Sequence, residues 1–448
     1  MGDYRAIFKA YDVRGTVPDQ FDTAMAGHIG AAFARFVKEG DPSSTRVLVA
    51  RDMRPSGVDM VDAFAEGAQS QGVDVVDLGL GSTDLLYFAA GSLDAAGAMF
   101  TASHNPAGYN GIKFCLSGAR PVGEESGLMQ IRDWAEAGLA PVGTRGNRTS
   151  QDLLSAFAAH VRSFVDVSTL RPLSVVADTA NGMGGLVVPA VFSELPFQLE
   201  IMYGELDGNF PNHPADPIQP ENTADLRARV VAAGADVGLA FDGDADRVFL
   251  VDEHGVGLSG STTTAILADT LVRRNGGGKV VHNLICSRAV PEVIREAGGE
   301  PVRSRVGHSF IKEVMAQTGA IFGGEHSAHY YFADNYRADS GLIAAVLVLE
   351  QICRRGIPLS ELRVPYERYA ASGEINTVVD DPLAVIEAVA KVYGDFPQDR
   401  LDGLTVDAGP WWFNLRPSNT EPLLRLNLEA PDQAECDARV AEVRAAFL

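Results

Sequence analysis

The sequence predicts an α/β protein: three similar mixed-sheet α/β domains and a smaller C-terminal α+β domain around a central cleft. Two observations carry this prediction. A unit of three strand-like runs separated by helix-compatible stretches occurs three times, and each copy ends its third run in a polar cluster. The last ~80 residues follow a different pattern, with one more polar loop between two strand-like runs.

The first copy opens with VLVA at 47–50, continues with VDVVDLG at 73–79 and ends in AAGAMFTASHNP at 95–106. The second runs through SVVA at 174–177, QLEIMYG at 198–204 and ADVGLAFDGDADR at 235–247. The third runs through KVV at 279–281, EPVRSRVG at 300–307 and TGAIFGGEHSAH at 318–329. Strands alternating with helical segments imply crossover connections and a mixed or mostly parallel sheet. Ligands of open α/β sheets sit beyond the carboxyl ends of the strands, where all three polar clusters fall. The plainer alternative is three ordinary domains with unrelated polar turns. After a linker near 365–372 come the strand GEINTVV, a helix over 382–393, and the strand-like stretches DGLTVDAG and WWFNLRPSNTEPLLRLNLEA. The latter is interrupted by the loop at 416–422, and residues 431–447 have apolar positions at helical spacing. The expected domains are 1–145, 146–252, 253–366 and 367–448.

Bulk composition narrows the function. Of 448 residues, 46% are apolar and 21% charged, which suits a chain with real cores. The net charge of −22, from 37 Lys and Arg against 59 Asp and Glu, argues against nucleic acid or an anionic membrane as partner. It leaves a small anionic substrate open, because that needs only a local cluster of donors. Cys115, Cys286, Cys353 and Cys436 are scattered, as expected of reduced core thiols rather than a metal knuckle. The start MGDYRAIFKAYDVRG has no apolar stretch, and the longest apolar run, 342–349, is too short to span a bilayer. A cytoplasmic location is expected.

Each loop then offers chemistry. In DGDADR, Asp242, Asp244 and Asp246 alternate, so an extended or looped backbone can aim all three inward; hard carboxylate oxygens suit Mg²⁺ or Ca²⁺. An EF-hand is disfavoured, because Arg247 stands where that loop needs glycine and the flanks VGLAF and VFLVD look like strands; a solvated acidic turn is the plainer alternative. In TASHNP, Ser103 lies just past the strand. A serine hydroxyl is a weak nucleophile that needs a base, a metal or both, and if phosphorylated it carries about −1.5 to −2 charges. Taken alone, the motif reads equally well as an Asn-Pro turn with a capping serine. His104 is a hydrogen-bond partner or a catalytic group, and Lys113 in YNGIKF is a further candidate. GGEHSAH offers Glu325, Ser327 and His329; carboxylate and hydroxyl two residues apart can bind vicinal sugar hydroxyls, and EHSAH lacks the spacing of a zinc protease. RPSNTEP brings Arg416, Ser418, Asn419 and Thr420, donors suited to a phosphate, or a plain turn with an N-cap; Arg425 on the next strand is a further donor or an ordinary surface charge.

At these four loops the sequence resembles the α-D-phosphohexomutase family, in its bacterial phosphomannomutase/phosphoglucomutase branch. TASHNP, DGDADR, GEHSAH and RPSNTEP stand in the family's order, supported by YDVRG at 11–15, ARDMRPSG at 50–57, FPNHPADP at 210–217 and VGHSFIK at 306–312. The resemblance spans essentially the whole chain. It implies that Ser103 is a phosphoserine and that Asp242, Asp244 and Asp246 hold one Mg²⁺ together with a phosphoserine oxygen. It implies interconversion of hexose 6-phosphate and hexose 1-phosphate, with hexose 1,6-bisphosphate as intermediate and activator. Arg247 would offset charge near Ser103, Glu325 and Ser327 would hold the 3- and 4-hydroxyls, and Arg416 to Thr420 would grip the non-reacting phosphate. Tyr11, Arg14, Lys113, His308 and His329 are candidates for proton transfer or ligand orientation. The expected partner is a phosphosugar, with the chain a monomer or weak homodimer.

Two departures from the family pattern concern ligand gripping: Ala328 stands where glycine is common, and a basic residue found near Ile285 in some members has Arg288 as its nearest counterpart. Phosphoglucosamine mutase is the nearest rival, disfavoured by Asn419, where that branch has glycine. A bisphosphate synthase or phosphatase, and a sugar-phosphate sensor without catalysis, are the others. The sensor is disfavoured because a pure binder needs neither a phosphoacceptor nor three aspartates.

Overall fold

The computed structural model describes residues 2–417 and 423–447. The chain forms two compact units: residues 1–259 with 327–362, and residues 260–326 with 363–448.

The first unit holds two sheets. Strands β1 (Val13–Thr16), β2 (Arg46–Arg51), β3 (Asp74–Leu80), β4 (Ala96–Phe100), β5 (Tyr109–Leu116), β6 (Arg120–Pro121) and β7 (Arg148–Ser150) form one sheet in the order β1-β5-β4-β2-β3-β7, with β6 on β5. Strands β8 (Ser174–Asp178), β9 (Gln198–Met202), β10 (Val237–Phe241) and β11 (Val248–Asp252) form the other, in the order β11-β10-β8-β9. In the second unit β12 (Lys279–Asn283) is paired in parallel with β13 (Glu300–Ser304) and β14 (Phe322–Gly324).

The repeat read from sequence is present in the topology. In all three copies the first strand lies between the second and the third, all parallel: β3-β2-β4, β9-β8-β10 and β13-β12-β14. In the first two copies the chain then returns antiparallel, as β5 on β4 and β11 on β10. The polar clusters TASHNP and DGDADR are the turns before those returns. The flanks of DGDADR are therefore a strand pair, as expected.

Local chemistry sets the elements. Both β4 and β10 are buried throughout, matching uninterrupted apolar runs closed by polar turns. Asp22 caps the helix Thr23–Gly40 by accepting from Met25 N, and Ser340 caps Gly341–Arg355 by accepting from Ile343 N. Phe33, Phe64, Phe100 and Phe114 pack together in the first domain's core. The short strand β15 (Tyr330–Phe332), in the first unit, bridges through Tyr331 to Asp339. Gly341–Arg355 carries the long apolar run and is buried along nearly its whole length.

The C-terminal sheet, in the second unit, is antiparallel throughout. It comprises β16 (Ala370–Val378), β17 (Gln398–Asp399), β18 (Leu404–Asp407), β19 (Trp412–Pro417) and β20 (Leu423–Ala430), in the order β16-β20-β19-β18-β17. Helices Pro382–Val392 and Gln433–Ala445 accompany it, around a core of Tyr393, Trp411 and Phe413. The structure starts the strand at Ala370, inside the stretch read as a linker; a bulge between Ala371 and Glu374 interrupts its pairing there. All four cysteines are buried, and no disulfide joins them. Among the described residues, no helix is long and apolar enough to cross a membrane.

Candidate active site

Ser103 follows β4 with its backbone in the left-handed region, at φ 49°. For a residue with a Cβ that conformation costs about 1–3 kcal/mol, and surrounding contacts must hold it. Gly243 makes room: a Cβ there would lie 2.4 Å from the Ser103 carbonyl oxygen. The serine hydroxyl, almost wholly buried, donates to Asp242 Oδ2 at 2.9 Å.

The DGDADR loop turns between β10 and β11 with Ala245 left-handed, φ 58°. Asp242, Asp244 and Asp246 are all buried, and one carboxylate oxygen from each lies within 4.8 Å of the others. Lys113, reaching from β5, donates to Asp244 Oδ2 and Asp246 Oδ2, both at 2.7 Å. Thr83 Oγ1 adds a bond to Asp244 Oδ2 at 2.5 Å, and Thr83 N one to the Asp244 carbonyl at 3.1 Å. Arg247 Nε donates to Asp242 Oδ2 at 2.9 Å. Asp244 Oδ1 and Asp246 Oδ1 are buried with no hydrogen-bond partner among the described residues. Two buried carboxylate oxygens without a hydrogen bond, beside a third carboxylate, fit a hard divalent cation.

The charges are strongly coupled. Burial pushes the Asp242 carboxyl up, to about 7, in spite of Arg247. Burial also opposes ionisation of Asp244, but Lys113 and Thr83 outweigh it and hold Asp244 below the usual carboxylate range. Lys113 is raised well above its ordinary value, because the two aspartates overcome the cost of burying it. His104 is held well below 6.5 by burial and by Arg247, whose Nη2 donates to His104 Nδ1 at 2.7 Å. His104 is therefore neutral, with Nδ1 occupied by Arg247, although that nitrogen is 3.3 Å from Ser103 Oγ.

Other candidates gather in the same unit. Arg14, on β1, donates to Asn105 Oδ1 at 2.6 Å and to Asp12 Oδ2 at 2.5 Å. Tyr11 sits half-buried in the turn before β1. His329 places Nδ1 2.8 Å from Asp339 Oδ2 and 3.9 Å from Asp246 Oδ1. Burial lowers its pKa, but the two carboxylates outweigh this and leave it raised. Ser327 is half-buried in the preceding turn. Ala328 has φ 65°, which explains a preference for glycine at that position.

In the second unit, Glu325 is buried at the end of β14, and its Oε2 accepts from Asn283 Nδ2 at 3.0 Å and Gly307 N at 3.2 Å. Arg416 donates to Asn427 Oδ1 at 2.8 Å and to Glu374 Oε2 at 2.5 Å, while Arg425 Nη1 lies 3.4 Å from Glu374 Oε1. Arg288 is committed elsewhere: its guanidinium pairs with Asp407 and its backbone N–H donates to Glu429. It does not stand in for a basic group near Ile285. Ser418, Asn419 and Thr420 lie outside the described residues, as does the His308 side chain; His308 opens the helix His308–Thr318.

Sequence reasoning missed Thr83, Asn283, Asp339 and Glu374 as site residues. They lie on other elements, and no spacing in the loops points to them. Asp84 is a further case: buried and pushed up to about 8 by desolvation, it accepts from Ser82 and Ser340 behind the loop.

The chain is similar to known proteins along nearly its whole length. Models of the phosphoglucomutase/phosphomannomutase family cover alpha/beta/alpha domain I at residues 5–137, domain II at 155–255, domain III at 259–369 and the C-terminal domain at 374–446. A protein of Xanthomonas campestris pv. campestris described as phosphohexose mutases is 41% identical over 97% of this chain and 98% of its own length. The phosphomannomutase of Escherichia coli strain K12 is 40% identical over 94% of each chain. The crystal structure of a phosphoglucomutase/phosphomannomutase family protein from Burkholderia thailandensis aligns with a TM-score of 0.90 and 31% identity, over 100% of this chain and 97% of that one. Four domain models in order and relatives alike along almost their whole length leave one assignment: the chain belongs to the phosphoglucomutase/phosphomannomutase family.

Proposed function

We propose that the chain is a phosphomannomutase that also acts on glucose phosphates. In this reading it interconverts hexose 6-phosphate and hexose 1-phosphate through a phosphoserine at Ser103 and a bound hexose 1,6-bisphosphate. The observation that carries the reading is the Ser103 hydroxyl, held at 2.9 Å on a carboxylate of the converging aspartate triad, beside Arg247.

Asp242, Asp244 and Asp246 would hold a divalent cation, read as Mg²⁺. Bound there, it would supply positive charge against the phosphoryl oxygens. Ser103 carries the phosphoryl group. In the forward half-reaction the bond from phosphorus to Ser103 Oγ breaks, a bond from phosphorus to a sugar hydroxyl oxygen forms, and the hydroxyl proton leaves to a base. In the return half-reaction the bond from the other phosphorus to its sugar oxygen breaks, a bond from that phosphorus to Ser103 Oγ forms, and the freed sugar oxygen takes the proton back from the base. Phosphoryl transfer asks the protein chiefly for positioning and charge. Arg247 and Lys113 provide fixed positive charge, and Asp339 orients His329, the candidate to exchange the proton. Glu325 and Ser327 take the 3- and 4-hydroxyls, which have the same configuration in glucose and mannose. Arg416, with Arg425, takes the non-reacting phosphate.

The test is direct. The enzyme, with Mg²⁺ and a trace of glucose 1,6-bisphosphate, should convert mannose 1-phosphate and glucose 1-phosphate to the 6-phosphates, and labelled bisphosphate should leave its phosphate on Ser103. Conversion without label on Ser103 would refute the phosphoserine route. Faster turnover of glucosamine 1-phosphate than of either sugar would refute the substrate assignment.

A further inference from the structure

The segment ARDMRPSG contributes a buried pair that the reaction outlined above leaves without a role. Arg54 is 1% exposed and Asp52 fully buried. The Arg54 guanidinium uses all its donor directions: Nη1 bonds the carbonyls of Pro106 at 2.8 Å and Tyr109 at 2.9 Å, Nη2 those of Ser103 at 3.0 Å and Asn105 at 2.7 Å, and Nε bonds Asp52 Oδ2 at 3.2 Å. Four carbonyl oxygens of the serine loop thus converge on one planar cation. Without it their dipoles would repel and the loop would open. Lysine cannot replace it, because a tetrahedral ammonium offers three donors and no planar fork.

The grip reaches both sides of the Ser103 peptide. Arg54 holds its carbonyl, while its N–H donates to Thr101 Oγ1 at 2.9 Å and Thr101 hydrogen-bonds Asp52. The Phe210 ring packs under the guanidinium, with its centroid 5.2 Å from Cζ. Asp52 Oδ2 faces Arg54 Nε, so the frame carries its own buried acidic partner for the guanidinium.

We propose that Arg54, with Asp52 and Thr101, is a positioning residue. It fixes the left-handed backbone of Ser103 so that the phosphate-carrying oxygen stays on Asp242 and Arg247. It acts on phosphoryl transfer and not on sugar affinity. The inference rests on Ser103 being the phosphate carrier. Displacing a reacting group by ~1 Å costs about 10²-fold in rate, which sets the expected effect.

The experiment compares Arg54→Lys, Thr101→Val and Ser103→Ala with the parent enzyme, using mannose 1-phosphate and glucose 1,6-bisphosphate. Arg54→Lys should lower kcat by about 10²-fold with KM within threefold, and should slow single-turnover transfer of labelled phosphate to Ser103 by the same factor. Thr101→Val should lose less, in the same parameter. A folded Arg54→Lys enzyme at the parent rate, or one whose loss lies in KM, would overturn the proposal. If Arg54→Lys does not fold, Thr101→Val decides: a kcat loss at constant KM supports the frame, and an unchanged kcat overturns it. Ser103→Ala separates the two ideas, because an active Ser103→Ala enzyme refutes the carrier role itself. An inactive Ser103→Ala beside a fully active Arg54→Lys refutes only the frame.

Discussion

The Ser103 region and the Arg416 region both concentrate charge, but they are built differently. Around Ser103, three aspartates, Lys113 and Arg247 are all buried and locked to one another at 2.7–2.9 Å. Around Arg416 the anionic partner is Glu374, whose side chain is 26% exposed and which also faces the part-exposed Arg425. The first arrangement is preorganised: its dipoles and charges are fixed before any ligand arrives, which is how buried electrostatics accelerate charge transfer. In the second, Arg416 is itself buried, but its partner Glu374 and the neighbouring Arg425 are part-exposed, which suits groups that capture and release a phosphate.

That contrast predicts that substitutions in the two regions separate by parameter. Ser103→Ala should lower kcat by more than about 10³-fold, since removing a covalent carrier abolishes the route; retained turnover would break the comparison. Asp244→Asn should lower kcat about 10²-fold and weaken Mg²⁺ binding about tenfold in a calorimetric titration. Arg416→Lys should instead raise KM about tenfold with a modest change in kcat, because an ammonium cannot reproduce bidentate phosphate contact. A kcat loss equal to that of Asp244→Asn would show that the Arg416 end is also part of the preorganised machinery.

The smallest effect concerns stability. His282, buried on β12, is pulled down to about 4 by desolvation. Below its ordinary value of 6.5 the unfolded chain takes up a proton that the folded chain refuses. Stability should therefore fall as pH drops from 6.5 toward 4, by about 2 kcal/mol at pH 5. His282→Asn should flatten that slope in thermal melts between pH 6.5 and 5, and an unchanged slope would assign the loss to other groups.

The sequence revealed repeats better than partners. The first and third runs of each copy predicted strands through their apolar character, because a parallel strand buried on both faces must be apolar on both, while the second runs, such as β9 and β13, are only partly buried. The loops TASHNP and DGDADR were visible because their candidate catalytic and ligating groups are concentrated in a few adjacent positions. Asp52 and Arg54 stood in a quoted segment, but the bonds that give Arg54 its role are to carbonyl oxygens, which any sequence would supply. Asn283 and Asp339 orient Glu325 and His329 from separate elements, so only folding brings them into register. The strand start at Ala370 was missed because a bulge relaxes the alternation by which strands are recognised.

Lys113 has one further consequence. Three carboxylates forced together in a dry turn would repel one another and pry the turn apart, yet this lysine occupies one oxygen of Asp244 and one of Asp246 and leaves the other oxygen of each untouched. The turn is thus tethered by a side chain the protein always carries. Chelation should strip such an enzyme of activity while its melting curve barely moves, and adding the ion back should restore turnover without a refolding lag. The same tether also limits what redesign can do: replacing Lys113 to make space for a larger ion would remove the scaffold along with the obstacle.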